Sequence, residues 1–365
     1  MSPYIFIIIW LGILAVFTAS TNLKKKEVVN GEVKMRYPWI IAFLIFFPII
    51  LIAGTREPVA DTYAYMRGFA EMPDTLSGIP MYIAGVSKDK GFYFFSALIK
   101  IIIGNNVTFY LTILAAIQGI SILSIFRKYS DNYMVSVFLF IASTDYFSWM
   151  FNGIRQFTAV TIVFAATALM LNKRYKTLLL VILLASTVHQ TALLMIPMVV
   201  IAQGKAWNKK TLFFIAVSII GVLFVERFSG FLDVALAETQ YKNVVSDWQS
   251  WEDDGTNILR VLVYSVPTLL AFIGRKRIKC EENKLIHFIT NMSIISTGLY
   301  VVSMFTSGIF IGRLPIYASL YGYILLPWEI EHIFTKESRK IVYILMGVFY
   351  LMFYYYQFHF GWGLI

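Results

Sequence analysis

An all-α fold, a polytopic bundle of membrane helices, is what this 365-residue sequence predicts, and three observations carry the prediction. The chain is 58% hydrophobic and 17% aromatic with only 14% charged residues, and its mean hydropathy of +0.70 lies outside the range of soluble domains. Apolar runs near the roughly 20 residues that cross a bilayer recur from end to end, with short polar breaks between them. The basic residues are grouped: 21 of the 31 Lys and Arg fall in six short stretches, at 22–37, 127–132, 172–176, 203–210, 275–284 and 336–340.

By the positive-inside rule these stretches face the cytoplasm. Residues 54–91, with four basic and five acidic residues, and 229–257, with Lys242 against six acids, are predicted as outer loops. The net charge of +10 therefore reads as topology, and nucleic acid is not expected as a partner. Residues 1–365 are predicted to form a single integral membrane domain. The first run, Tyr4 to Thr18, has neither a basic leader nor a marked cleavage site, so it reads as a retained helix.

In order, the predicted helices are 4–20, 38–53, 92–103, 107–126, 133–150, 153–171, 177–187, 190–202, 211–228, 258–274, 285–306, 314–334 and 341–357. With re-entrant or broken helices counted, this gives about 11–13 membrane segments. Residues 177–202 lie between two stretches that both belong inside, so this run is expected to enter and return, breaking near His189. Residues 92–126 connect an outer loop to an inner one, so one of their two runs should not cross. Irregular backbone at membrane depth is tolerated only where it is buried in protein or lines a polar cavity, so both departures point to a cavity.

Aromatic residues gather at run ends, at Trp39, at Tyr146 to Trp149 and from Tyr354 to Trp362, as in an interfacial belt. Pro48, Pro197, Pro267 and Pro327 read as kinks. One cysteine, Cys280, leaves neither a disulfide nor a cysteine metal site. No phosphate-binding loop, dinucleotide fingerprint or paired metal-ligand spacing is present, so no cofactor and no metal are expected.

Five basic residues remain in or at the edges of apolar runs: Lys100, Arg155, Arg227, Arg260 and Arg313. Lys100 and Arg227, the latter beside Glu226, read first as groups that snorkel or pair. Arg155, Arg260 and Arg313 each fall near the outer start of an inward-running helix, where the helix dipole already places positive charge. An anion should compensate, and Asn152-Gly153, Gly312 and Pro315 favour helix starts of the kind that bind phosphate. Outer headgroups, Asp61 or Asp145 could also meet these arginines. Arg56 and Asp61, just past the end of a membrane helix, would supply a second anion contact and a carboxylate in the same outer vestibule. His189 falls at the expected break, with Ser186 or Thr187 as cap of the next half-helix, either as an interhelical hydrogen bond or as a base.

In "AGTREPVADTYAY", "KDKGFYFFSALIK", "FNGIRQF", "LASTVHQTAL", "RVLVYSVPTLLAF" and "GIFIGRLPIYASLY" the chain resembles the EpsG-like family of Wzy-type polysaccharide polymerases, membrane glycosyltransferases of bacterial envelopes. The stretches follow in order over nearly the whole chain. The resemblance implies a C-type glycosyltransferase architecture in the bacterial cytoplasmic membrane. It also implies transfer of a growing glycan from undecaprenyl pyrophosphate to a lipid-linked repeat unit at the outer face. The product would be capsule, exopolysaccharide or O-antigen, and chain-length regulators and flippases would be further partners beside membrane lipid.

Carried onto this sequence, the resemblance points to Arg56, Asp61, Arg155, Gln156, His189 and Arg313. Arg155 and Arg313, supported by Arg56, would offset the charge on pyrophosphate in place of a metal, and Arg260, from its place at a helix start, is a further substrate-binding candidate. Gln156 would bond a sugar or phosphate oxygen, and His189 or Asp61 would take the acceptor proton. A flippase or transporter of the same lipid-linked glycan and an O-antigen ligase are the alternatives. A membrane O-acyltransferase fits less well, because it needs an acyl donor from inside.

Overall fold

The computed structural model describes residues 2–21, 23–29, 32–58, 61–224, 234 and 255–365. Arg227, and nearly all of the outer loop expected over 229–257, lie outside the described residues. The rest is helical almost throughout, as predicted, and clusters into two compact units, Met1–Leu193 with Ile344–Ile365, and Leu194–Tyr343.

In the first unit, α1 (Pro3–Ser20) starts on a proline whose missing N–H is not needed in the first turn. A small antiparallel hairpin follows, β1 (Lys25–Val29) and β2 (Glu32–Arg36), with Lys25 opposite Arg36. By sequence alone, 22–37 is only one of the short basic stretches between apolar runs. Arg36 fastens it by donating to the carbonyls of Ser130 at 2.7 Å and Lys128 at 3.1 Å, and Arg127 bonds Glu27 and the Tyr37 carbonyl. Two stretches assigned to the cytoplasm, 22–37 and 127–132, thus meet at one end of the unit.

Next come α2 (Trp39–Thr55), the short α3 (Thr62–Ala70) and α4 (Ile79–Gly85), α5 (Lys90–Ile103) and the 23-residue α6 (Val107–Tyr129). Asn106 caps α6, its side chain accepting from Phe109 N–H at 3.0 Å. Helices α2 and α6 pack with backbones close together. A Cβ on Gly54 would come within 2.7 Å of Thr112 Cα, and one on Gly119 within 2.5 Å of Ile50. Small residues at such crossings let membrane helices gain contact where no water is available to drive association.

Residues 54–91, expected as an outer loop, fold into helices that pack on this frame. Phe69, Met72 and Ile79 are buried with Phe92, Tyr110, Leu111 and Ile154, and Phe69 stacks on Tyr110 at 4.0 Å. At 1.5 Å per residue the 14 residues of α5 reach about 21 Å. Of the two expectations for Lys100, pairing holds and snorkelling does not: its Nζ meets Asp74 Oδ1 at 3.2 Å. Its ammonium turns inward and donates to the carbonyls of Ala70 at 2.8 Å and Met72 at 2.5 Å, closing the C-terminal end of α3.

The run expected as one helix over 133–150 is broken. Helix α7 (Tyr133–Ala142) turns by 67° into a π-helical segment, Tyr146–Asn152, after Thr144 adopts a φ of +69°. The next run, 153–171, divides into α8 (Ile154–Ala165) and α9 (Thr167–Leu171), and α10 (Tyr175–Val188) ends at His189 as predicted. Ser186 and Thr187 do not cap the following segment, because their hydroxyls donate back to Leu183 and Leu184 within α10.

The second unit comprises α11 (Met195–Ala202), α12 (Lys209–Leu223), α13 (Ile258–Ile273), α14 (Arg275–Lys279), α15 (Lys284–Met304), α16 (Ile316–Ser319) and α17 (Gly322–Ile333). Helix α15 is its core, with α11, α12, α13, α16 and α17 around it. Asn291 of α15 is fully buried, donating to the Ala202 carbonyl at 3.0 Å and accepting from Trp207 N–H at 3.1 Å.

After α18 (Lys336–Tyr356) the chain ends in the first unit, where the Tyr354 hydroxyl meets the Tyr4 carbonyl and the Tyr146 hydroxyl, each at 2.8 Å. Tyr146, Phe147, Tyr354 and Phe358, read from the sequence as an interfacial belt, are therefore core residues of this unit. Pro3–Ser20, Val107–Tyr129, Lys284–Met304 and Lys336–Gly361 are long and apolar enough to cross a bilayer, and the bent pair Tyr133–Ala142 and Tyr146–Asn152 makes a fifth candidate. The protein is a multi-pass membrane protein.

Candidate active site

Where α8 begins decides where Arg155 stands. Gln118 lies midway along α6, and its amide donates to the Ile154 carbonyl at 3.2 Å and to Thr158 Oγ1 at 2.9 Å. The first turn of α8 is thereby held level with the middle of a helix long enough to span. Helix α8 has 12 residues and no side-chain cap on Gly153. That N-cap has no room for a side chain, since a Cβ would come within 2.9 Å of the Trp149 ring. Arg155 thus sits at the start of a 12-residue helix, level with the middle of α6, with the dipole adding to its charge.

Its partner is Asp89, an acid that local sequence does not single out. Arg155 Nη1 donates to Asp89 Oδ2 at 2.8 Å, while Asp145 accepts the indole N–H of Trp149 at 3.2 Å. Two tyrosines flank the guanidinium. The Tyr65 hydroxyl lies 3.4 Å from Nε and the Tyr93 hydroxyl 3.5 Å from Nη1, with ring centroids 6.0 Å and 5.7 Å from the guanidinium carbon. Nη2 makes no hydrogen bond among the described residues.

Asp89 precedes α5 and is itself buried. Burial pushes its carboxyl above the ordinary value of 3.8, whereas Arg155, Lys88 and the main-chain N–H of Gln190 favour the charged form. Gln190 follows His189, so the break at the end of α10 faces the same carboxylate. Gly91, two residues after Asp89, lies against Thr187 with no room for a side chain. His189 itself is extended, and its Nδ1 lies 2.7 Å from Thr191 Oγ1.

Arg56 stands beside this group. Its Nε donates to Thr62 Oγ1 at 2.9 Å, Nη1 to the Ala53 carbonyl, and its guanidinium lies 4.8 Å over the Phe151 ring. Nη2 is buried without a partner. Tyr65 lies within electrostatic reach of Arg56 as well as of Arg155. Tyr65 thus lies near both guanidinium groups, touching that of Arg155, and each has a nitrogen without a hydrogen bond among the described residues.

The other predicted residues are placed differently. Asp61 is exposed at the start of α3, one turn before Tyr65, and caps nothing with its side chain. Gln156 is only 4% exposed and packs into the interior, because neighbouring residues on a helix point about 100° apart. Arg260 and Arg313 belong to the second unit. Arg260 is in the first turn of α13, 5.8 Å over the Tyr264 ring. Arg313 is exposed in a 3₁₀ turn before α16. The sequence did carry one sign of Asp89: the Asp89-Lys90-Gly91 step opens a helix with one apolar face, yet it reads as solvated charge until the neighbours are known.

The model of the EpsG family matches residues 39–362, a span that includes every residue of this cluster. No curated protein and no solved structure matches the chain.

Proposed function

The chain belongs to the EpsG family, and on that premise we propose that it is a polysaccharide polymerase, a membrane glycosyltransferase. It transfers a growing glycan from polyprenyl pyrophosphate to a sugar hydroxyl of a second lipid-linked repeat unit, at the outer face of the bacterial cytoplasmic membrane. What supports the reading above all is the position of Arg155 at the start of a 12-residue helix, its Nη2 uncommitted, level with the middle of α6.

As the sugar–phosphate bond breaks, negative charge grows on the pyrophosphate. Guanidinium groups held in place before the reaction stabilise that charge without reorganising. Arg155 is held by Asp89 and Tyr65, and Arg56 by Thr62 and the Ala53 carbonyl. A bidentate arginine contact suits two phosphate oxygens, and two such cations take the part a divalent metal plays in many transferases. Tyr65 and Tyr93 offer aromatic faces and hydroxyls to a sugar beside the phosphate.

The test is reconstitution of the purified protein in vesicles with a defined lipid-linked repeat. Chains of several repeats, formed equally well in EDTA, are expected. If the repeat only changes leaflet, the protein is a flippase. Transfer to lipid A core without lengthening would make it a ligase.

A further inference from the structure

We propose that Asp89 is the catalytic base, the group that receives the proton of the acceptor sugar hydroxyl. This rests on the polymerase reading above. Asp61 and His189 were the groups the sequence offered for the role, and neither is set as Asp89 is.

Three observations converge. Asp89 Oδ2 is held by Arg155 at 2.8 Å, with the aspartate side chain 2% exposed, while Oδ1 is buried without a hydrogen bond of normal geometry, the Gln190 main-chain N–H acting on the carboxylate without satisfying that oxygen. Buried polar atoms almost always find partners, and one that has none calls for a missing donor. A sugar hydroxyl is such a donor. Asp89 also has a φ of +57°, a conformation that glycine adopts without strain. It precedes a helix but makes no capping bond to it. Aspartate tolerates this φ better than most residues do, but no capping bond accounts for its side chain here. Finally, the groups around it suit a sugar next to a phosphate: Arg155 from α8, Tyr65 from α3, Tyr93 on α5, and the Gln190 N–H next to His189 from the end of α10. Lys88 is the remaining charged group that acts on it. Asp61, by contrast, is exposed.

In the transfer step the acceptor oxygen bonds to the anomeric carbon of the donor. The bond from that carbon to the pyrophosphate oxygen breaks, and pyrophosphate leaves with the electron pair toward Arg155 and Arg56. The hydroxyl proton passes to Asp89 Oδ1. Arg155 thus spans both ends of the reaction, holding the base through Nη1 and meeting the leaving group through Nη2.

Turnover and donor KM are measured against pH for wild type, Asp89→Asn, Asp89→Gly, Asp61→Asn and His189→Ala with a defined lipid-linked repeat. Asn tolerates a positive φ and Gly prefers it, so both Asp89 variants should fold. Both should lose roughly 10²- to 10⁴-fold in turnover, the contribution of a positioned base, with donor KM nearly unchanged. Asp61→Asn should stay near wild type. His189→Ala should keep the fall in turnover on acidification, which follows from protonating Asp89. Either Asp89 variant within about tenfold of wild type would overturn the assignment. So would a donor KM that rises as far as turnover falls, which would make Asp89 only a holder of Arg155. Absence of chain extension by wild type is a separate outcome, and it would remove the polymerase reading itself.

Discussion

Arg155 and Asp89 meet at 2.8 Å across 66 residues of sequence, joining the start of α8 to the start of α5. The contact uses one corner of a planar fork, with Nε turned to Tyr65. Lysine keeps the charge but has no fork. Arg155→Lys should therefore lose nearly as much turnover as Arg155→Ala, by 10²-fold or more on the scale of a lost preorganised donor. Recovery of most activity by lysine would reduce Arg155 to a charge anchor.

Lys100 carries a structural prediction. It is buried, and it is bonded to two carbonyls at the end of α3, whereas its ion-pair partner Asp74 is 79% exposed. Lys100→Met would leave the Ala70 and Met72 carbonyls without their donor, at a cost of about 1–3 kcal/mol. Asp74→Asn should be close to neutral, since exposed pairs contribute little. Thermal unfolding in detergent compares the two, and equal midpoints for both variants would contradict the carbonyl clamp.

Gly91→Ala probes how Asp89 is aimed. The new Cβ would lie 2.1 Å from Thr187 Oγ1 and 3.0 Å from the Thr187 backbone, so the start of α5 must move away from α10. Overpacking of this kind costs about 1–3 kcal/mol. Turnover should fall with stability, because Asp89 is two residues away. Gly68→Ala, inside α3 where nothing lies within 4 Å of the added methyl, is the control: it should leave turnover unchanged and, by helix propensity, not lower stability.

Orientation can be read by cysteine labelling in a Cys280→Ser background, since Cys280 is exposed and would react. Met81 is 86% exposed in α4, and Met81→Cys should label with an impermeant reagent applied to intact cells. Lys176→Cys and Lys340→Cys, also at exposed positions, should label only after lysis. The reverse pattern would move the Arg155 cluster to the cytoplasmic side and exclude an outer-face polymerase.

Some of this was legible in the sequence for definite reasons. Apolar runs and basic breaks report burial in lipid and topology directly, because hydrophobic transfer and the membrane charge bias act on local segments. Arg155 stood out as a cation at a helix start, and His189 as a residue at a break. Both positions held. The aromatic clusters did not read correctly: Tyr146 and Tyr354 look the same in sequence whether they meet headgroups or each other, and here they hydrogen-bond inside the first unit. The bend after Ala142 was hidden as well, since both of its arms are apolar.

The sequence by itself determined the membrane class, the helical architecture, most helix positions and the placing of Arg155 at a helix start, since each depends on residues close together in the chain. Only the tertiary structure decided that Asp89 is the acid beside that arginine, that Lys100 closes α3 and that Asp61 is left exposed. The reason is physical: whether a charge is solvated or buried against a partner depends on which helices pack together. In the first unit that packing is set by close contacts such as Gly54 on Thr112 and Gly91 on Thr187, between segments far apart in sequence.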